Sequence, residues 1–253
     1  MRAIVVGAGF GGIAAALRLR AKGYEVTLID RCNHIGGRAR VFEREGFRHD
    51  AGPTVITAPF LFEELFALFN EKFSDHVRLV PLTPWYRFAF RDGSRFDYGG
   101  TLEQTLAEIR RIEPRDVEGY LALLRHSQRI FDVGFTQLSA QPFHRLWTML
   151  RQIPSLLRLR SHETVWQMVS RFLCSPKLRR AFSIQPLLVG GNPFDTTSIY
   201  GLIHYLERAY GVHFAMGGTG AITRALEDLM QRQGVRILLD TTVAALQVSG
   251  KRA

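Results

Sequence analysis

Ala3-Ile4-Val5-Val6-Gly7-Ala8-Gly9-Phe10-Gly11-Gly12 opens the chain, and Glu25-Val26-Thr27-Leu28-Ile29-Asp30 follows one helix length later. The two apolar, β-branched runs read as strands and the segment between them as a helix. This is a βαβ unit whose first turn carries GxGxxG. Each glycine of the turn has a mechanical task. Gly7 makes the tight turn out of the strand, Gly9 lets the backbone approach a pyrophosphate, and Gly12 lets the helix pack close against the strand. The helix N-terminus then faces the anion with free N–H groups. Asp30 stands 23 positions after Gly7, where an acid is expected to accept hydrogen bonds from ribose hydroxyls. The stretch predicts a bound adenine dinucleotide.

The 253 residues suffice for one large or two smaller domains, and 46% hydrophobic with 22% charged residues indicates a globular chain. Cys32 and Cys174 can build neither a disulfide framework nor a recognisable metal site, so a reducing, cytoplasmic setting is the expectation. No apolar run reaches the length of a membrane-spanning helix. Arg2 and the apolar stretch after it do not read as a secretory signal, because glycines interrupt the stretch and Arg18, Arg20 and Lys22 follow it.

The net charge of +10 is concentrated. Between Gln141 and Arg180 stand Arg145, Arg151, Arg158, Arg160, Arg171, Lys177, Arg179 and Arg180 against Glu163 alone, a local charge of +7. Large apolar residues such as Phe143, Trp147, Ile153, Leu157 and Trp166 are interleaved with them. The mixture suits an interfacial helix lying peripherally on anionic lipid, and equally a helical subdomain with a solvated basic face. Nucleic acid ranks below both, since no nucleic-acid-binding motif accompanies the charge.

Along the chain, residues 59–73 read as an amphipathic helix, and the runs 85–90 and 95–98 flank Asp92-Gly93 as a hairpin. From Thr101 to about Tyr210 the pattern is mainly helical. Strand character returns at 212–215, followed by a helix over 221–233 and a strand over 235–248. The fold class expected is α/β: a Rossmann-like βαβ domain interrupted by a mainly helical insert. The expected boundaries are 1–100 and 211–253 for the nucleotide domain and 101–210 for the insert. Ser249-Gly250-Lys251 reads as a turn with no returning strand, so an N-terminal portion of a longer protein, incomplete at the C-terminus, is expected.

Dinucleotide binding fits both nicotinamide and flavin enzymes. Gly36-Gly37-Arg38, six residues after Asp30, favours FAD, because the pair of glycines and the guanidinium can meet the pyrophosphate from its other side. With these residues, Asp50-Ala51-Gly52-Pro53-Thr54-Val55-Ile56-Thr57, Pro114-Arg115-Asp116-Val117-Glu118-Gly119-Tyr120, Leu187-Leu188-Val189-Gly190-Gly191-Asn192-Pro193-Phe194 and Gly217-Gly218-Thr219-Gly220-Ala221, the chain resembles the N-terminal half of bacterial-type phytoene desaturases. These belong to the amine-oxidase-like flavoproteins, and the likeness covers nearly the whole chain.

The resemblance implies that Gly7, Gly9, Gly12, Gly36, Gly37 and Arg38 surround the pyrophosphate and that Asp30 holds the adenosine ribose. It further implies that Gly52, Pro53, Thr54 and Val55 approach the flavin ring and that Val243 meets the adenine through its backbone. An ordinary strand residue is an equal reading of Val243. The implied activity is FAD-dependent desaturation of a lipophilic C40 isoprenoid such as phytoene. A related isoprenoid desaturase, a carotenoid isomerase and a non-catalytic membrane-associated fragment are the alternatives. Phe131, Phe135, Leu138, Phe182, Leu187, Leu188, Tyr200 and Tyr205 are candidates for an apolar substrate tunnel, each weighed against plain core packing. His204, His213 and Glu207 receive no catalytic role. The sequence departs from the family at Cys32, where an arginine is usual, and it has no counterpart of the family's second flavin-binding segment, so the chain alone is expected to be inactive.

Overall fold

In the computed structural model, residues 1–137, 154 and 159–247 are described. Most of the basic, apolar run between 141 and 158, and the tunnel candidate Leu138, lie outside them. The chain forms two compact units, one of residues 1–81 with 213–253 and one of residues 82–212.

The first unit begins as its apolar pattern requires. Strand β1 (Arg2–Val6) leads into α1 (Phe10–Ala21) and returns as β2 (Glu25–Ile29), paired in parallel with Val5 opposite Leu28. A short β9 (Arg236–Leu238) pairs in parallel with the far side of β2, giving the order β1-β2-β9. The expected strand over 235–248 is therefore only three residues long. Asp240 turns the chain with a φ of 49°, and residues 241–247 take no regular structure. Helix α8 (Thr219–Arg232) covers the same face as α1, and Ile13, Leu17, Val26, Leu28, Ile222 and Leu226 form the shared core.

Between β2 and the second unit lie the hairpin β3 (Val41–Arg44) and β4 (Phe47–Asp50), α2 (Phe60–Ala67) and β5 (Leu79–Pro81). Glu45 and Gly46 both have positive φ, which makes the two-residue turn that matches strand twist. The helix read over 59–73 ends early, because Asn70 adopts a φ of 59° and a separate 3-10 turn follows at Phe73–Asp75. Strand β8 (His213–Ala215) pairs antiparallel with β5.

The second unit holds the hairpin β6 (Tyr86–Ala89) and β7 (Arg95–Tyr98), which the sequence had grouped with the nucleotide domain. Its helices are α3 (Leu102–Ile112), α4 (Asp116–Phe131), α5 (Val165–Phe172), α6 (Pro176–Ala181) and α7 (Leu202–Tyr210). Thr101 with Gln104, and Thr164 with Gln167, make complete capping boxes at the starts of α3 and α5. Gly119 lets α4 lie against the end of α5, since a Cβ there would stand 2.0 Å from the Phe172 carbonyl oxygen. Among the described residues no helix is long and apolar enough to cross a membrane.

Of the tunnel candidates, Phe131 and Phe182 are buried, and Phe182 packs edge-on to Phe96 and Tyr98. Phe135, Tyr200 and Tyr205 are half-buried, whereas Leu187 and Leu188 are exposed at 62% and 45%. The core also encloses polar groups. Glu207 is fully buried and accepts a hydrogen bond from the Tyr86 hydroxyl at 2.8 Å. Arg208, its neighbour, lies over the Trp85 ring and donates to the Gly100 carbonyl and the Thr105 hydroxyl. His204 is sealed beside Gln185, with 3.1 Å between Nδ1 and Nε2.

Burial pushes the Glu207 carboxyl up to about 7 from an ordinary 4.5, against the opposing pull of the Tyr86 hydroxyl and the Arg208 charge. A carboxyl with a raised folded-state value binds its proton more tightly when folded. Its contribution to stability is therefore complete below pH 4.5, falls as pH rises toward 7, and stays lost above it. The loss amounts to about 3 kcal/mol. Denaturant unfolding between pH 5 and 8 should show this decline, and Glu207→Gln, which retains an acceptor for Tyr86, should flatten it. An equal slope in the two proteins would contradict the assignment.

Candidate functional site

The site grows from the end of β1. Gly7 leaves the strand with a φ of 101°, a conformation that L side chains resist, and its amide donates to the Ile29 carbonyl at 2.8 Å. Gly9 then caps α1 in extended conformation, and the first helical bond runs from the Ile13 amide back to the Gly9 carbonyl. The amides of Phe10, Gly11 and Gly12 precede that bond, so they have no partner within the helix. The first turn of α1 contains no acidic residue and no side-chain cap, so no side chain of the helix itself offsets the partial positive charge at its start.

Gly12 holds the helix on the strand: a Cβ there would stand 1.8 Å from the Gly7 carbonyl oxygen. At Gly11, by contrast, a Cβ would meet open space.

A second turn packs directly on the first. The Gly36 amide donates to the Ala8 carbonyl at 2.8 Å, and a Cβ on Gly37 would stand 3.0 Å from the Gly9 Cα. Gly36 takes a φ of 102° and begins the 3-10 turn Gly37–Ala39. Arg38 is exposed on this turn, without a hydrogen bond or ion pair to any described residue. A third segment lies against it, since a Cβ on Gly52 would be 2.3 Å from the Arg38 carbonyl oxygen. Beyond Gly52, Pro53 and Thr54 are exposed and Val55 is half-buried.

Asp30 ends β2 beside these turns. One carboxylate oxygen accepts from the Ala8 amide at 2.6 Å and the other from the Cys32 amide at 2.8 Å. Partial burial pushes its carboxyl up, but the Ala8 and Cys32 amides, the Cys32 side chain and the nearby Arg31 charge outweigh that and hold it below its ordinary value. It is an anion at neutral pH, fixed in orientation by the backbone of the glycine turn. The chain returns to it after β9, where the Asp240 amide donates to the Cys32 carbonyl and the Thr241 amide to the Asp30 carbonyl. Val243 follows two residues later, half-buried and outside any strand.

The structure thus brings Gly7, Gly9, Gly12, Asp30, Gly36, Gly37 and Arg38 together and sets Gly52 against them. One participant escapes sequence reading. Asp50 accepts from the Thr219 amide at 2.9 Å and the Gly220 amide at 3.3 Å, capping α8 from a distant part of the chain. Gly218 permits this, because a Cβ there would stand 2.2 Å from the Asp50 carboxylate. No local motif announces a cap 169 positions away.

The profile of the family described as flavin containing amine oxidoreductase matches residues 10–253, and the chain belongs to that family. It is 45% identical over 99% of its length to a lycopene-forming phytoene desaturase of Pseudescherichia vulneris, covering 51% of that protein. With a lycopene-forming phytoene desaturase of Pantoea ananas it shares 44% identity over 98% of its length, covering 50% of the relative. The chain therefore spans about half the length of the curated relatives it matches. Among solved structures, an oxidoreductase from Methanosarcina mazei superposes with a TM-score of 0.61 at 18% identity, over 95% of this chain and 51% of the other; this establishes the fold.

Two neighbouring glycines separate packing from helix propensity. Gly12→Ala should prevent the helix from seating and yield little folded protein. Gly11→Ala should fold and gain about 0.5–1 kcal/mol, since alanine is the better helix former. Thermal unfolding followed by circular dichroism checks both, and a stable Gly12→Ala protein would contradict the close contact.

Proposed function

We propose that this flavin-containing amine oxidoreductase family member binds FAD and contributes to desaturating a C40 carotenoid precursor such as phytoene. The observation that carries the reading is the 45% identity extending over 99% of the chain to a lycopene-forming phytoene desaturase. The glycine cradle fits the cofactor. Two turns meet without side chains between them, a helix N-terminus presents free amides, and Arg38 adds an unpaired cation for the pyrophosphate. In this reading Gly7, Gly9, Gly12, Gly36 and Gly37 form the cradle, and Asp30 takes the ribose hydroxyls.

Gly52, Pro53, Thr54 and Val55 would meet the flavin ring, and the backbone of Val243 would meet the adenine. Bound there, FAD would supply two-electron oxidation: a hydride taken from one substrate carbon and a proton released to the medium from the adjacent carbon, leaving a double bond. A hydrocarbon has no polar handle, so the protein's own work is positioning and exclusion of water. Glu207 and His204 are enclosed in a packed core, and no base is assigned to them.

The test supplies the 253-residue chain with the remaining half of the Pantoea relative, phytoene in liposomes and FAD. Red-shifted absorbance from added conjugation is expected, and the chain alone should bind FAD weakly and form no product. Binding of a nicotinamide dinucleotide in place of FAD would overturn the assignment. In the complemented protein, Asp30→Ala should weaken FAD binding by about 1.5–3 kcal/mol through loss of charge-assisted hydrogen bonds. Unchanged affinity would remove the ribose role from Asp30.

Peripheral association with anionic membrane belongs to the same proposal. The local charge of +7 between 141 and 180 and a substrate that partitions into lipid both support it. Flotation with anionic vesicles should weaken at high salt, leaving a salt-resistant remainder from apolar insertion. Equal flotation with neutral vesicles would remove the electrostatic part.

A further inference from the structure

We propose that Thr219 is a positioning residue: its hydroxyl, by holding the Pro53 carbonyl, turns the Thr54 amide outward as a preset hydrogen-bond donor for the flavin ring. Flavin enters as the recipient only through the function proposed above. Thr219 is buried in the first turn of α8. The N-cap of that helix is Gly218, which has no side chain, and Asp50 caps it from outside by accepting from the Thr219 and Gly220 amides. The Thr219 hydroxyl is thereby free of capping and donates to the Pro53 carbonyl instead.

The loop that contains Pro53 is fixed at both ends. The Ala51 amide donates to the Arg40 carbonyl at 2.9 Å, and Gly52 lies against the Arg38 carbonyl. At the other end Ile56 and His213 exchange amide bonds of 2.8 and 2.9 Å. Among the described residues, the bond from Thr219 is the only hydrogen bond to residues 53–55.

The Pro53–Thr54 peptide is trans, so its N–H points opposite to its C=O. With the carbonyl drawn toward α8, the Thr54 amide faces away from that helix, on a loop where Pro53 and Thr54 are exposed and no described residue accepts from it. Thr54 is two residues, at most about 7 Å, beyond the Gly52 contact with the pyrophosphate turn. The flavin ring is rich in acceptors, with two carbonyls and several nitrogens, and it becomes richer in electrons on reduction. A fixed donor aimed at such a ring favours the reduced form.

Two substitutions test the role. Thr219→Val removes the hydroxyl and keeps the branched side chain, whereas Thr219→Ser keeps the hydroxyl. In the 253-residue chain without flavin, the NMR order parameter of the Thr54 amide should be about 0.85 in the parent and in Thr219→Ser and fall below about 0.6 in Thr219→Val, with the unfolding midpoint retained. An equally rigid Thr54 amide in Thr219→Val would overturn the proposal without reference to any cofactor. In the chain complemented with the remaining half of the Pantoea relative, Thr219→Val should bind FAD about 10-fold more weakly. It should also lower the two-electron midpoint potential by about 30 mV, equivalent to a further tenfold loss against the reduced form, and Thr219→Ser should restore both. An unchanged potential, or equal losses in the two variants, would leave Thr219 a packing residue and overturn its positioning role. Absence of FAD binding in the complemented parent protein would instead overturn the functional reading, and with it the flavin as recipient.

Discussion

Backbone lies directly on backbone at the heart of the first unit, and everything that surrounds the candidate site depends on the absence of side chains there. Gly12 meets the Gly7 carbonyl, Gly37 meets Gly9, and Gly52 meets the carbonyl of Arg38. Three separate segments are thereby stacked within contact distance. A single methyl group at Gly12 or Gly52 would have to move peptide carbonyls, which have no rotamers with which to yield. The stacking also fixes where Arg38 and the first amides of α1 stand, so the charge available to an anion is set by packing before any ligand arrives.

Aspartates secure this arrangement by accepting from the backbone. Asp30 holds the Ala8 amide, Asp50 holds the start of α8, and in the second unit Asp116 accepts from the Cys174 and Ser175 amides at 2.6 and 2.8 Å, at the entry to α6. In each case a carboxylate satisfies N–H groups that a turn or a helix start would otherwise leave unpaired. Pairs of charged side chains matter less here. Arg87 with Asp97 and Arg115 with Glu113 lie at the surface, where solvent screening leaves such pairs little to contribute.

The sequence was most legible where local pattern and local structure coincide. The opening βαβ unit, the hairpin around Asp92-Gly93 and the helix after Gly218 all formed at the positions their residues indicated, because periodicity and turn chemistry act over a few neighbours. The last strand was misjudged in length. Val243 and its neighbours are apolar enough for a strand, yet a strand needs a partner, and the chain swings away at Asp240. Asp50 shows the same limit in the site itself. Its residue type and the start of α8 were each readable, but their meeting was not, since it depends on tertiary placement. The extent of the hairpin's allegiance was also hidden, for Phe96 and Tyr98 pack on Phe182 from the helical insert.

The two units differ in how the chain visits them. Residues 82–212 are continuous, with a core of their own, whereas the first unit needs residues 213–239 to add β9 beside β2 and to cover the sheet with α8. Asp50 leaves the ribosome 169 residues ahead of the amide it caps. At common synthesis rates of about 5–20 residues per second, that is a wait of roughly 10–30 s. During that time β1, α1 and β2 stand exposed with their apolar face unfilled, while the later-made insert can already condense. The segment that carries the glycine turns is thus translated before the insert and packed after it, and chaperone dependence in this protein should be governed by residues 1–81.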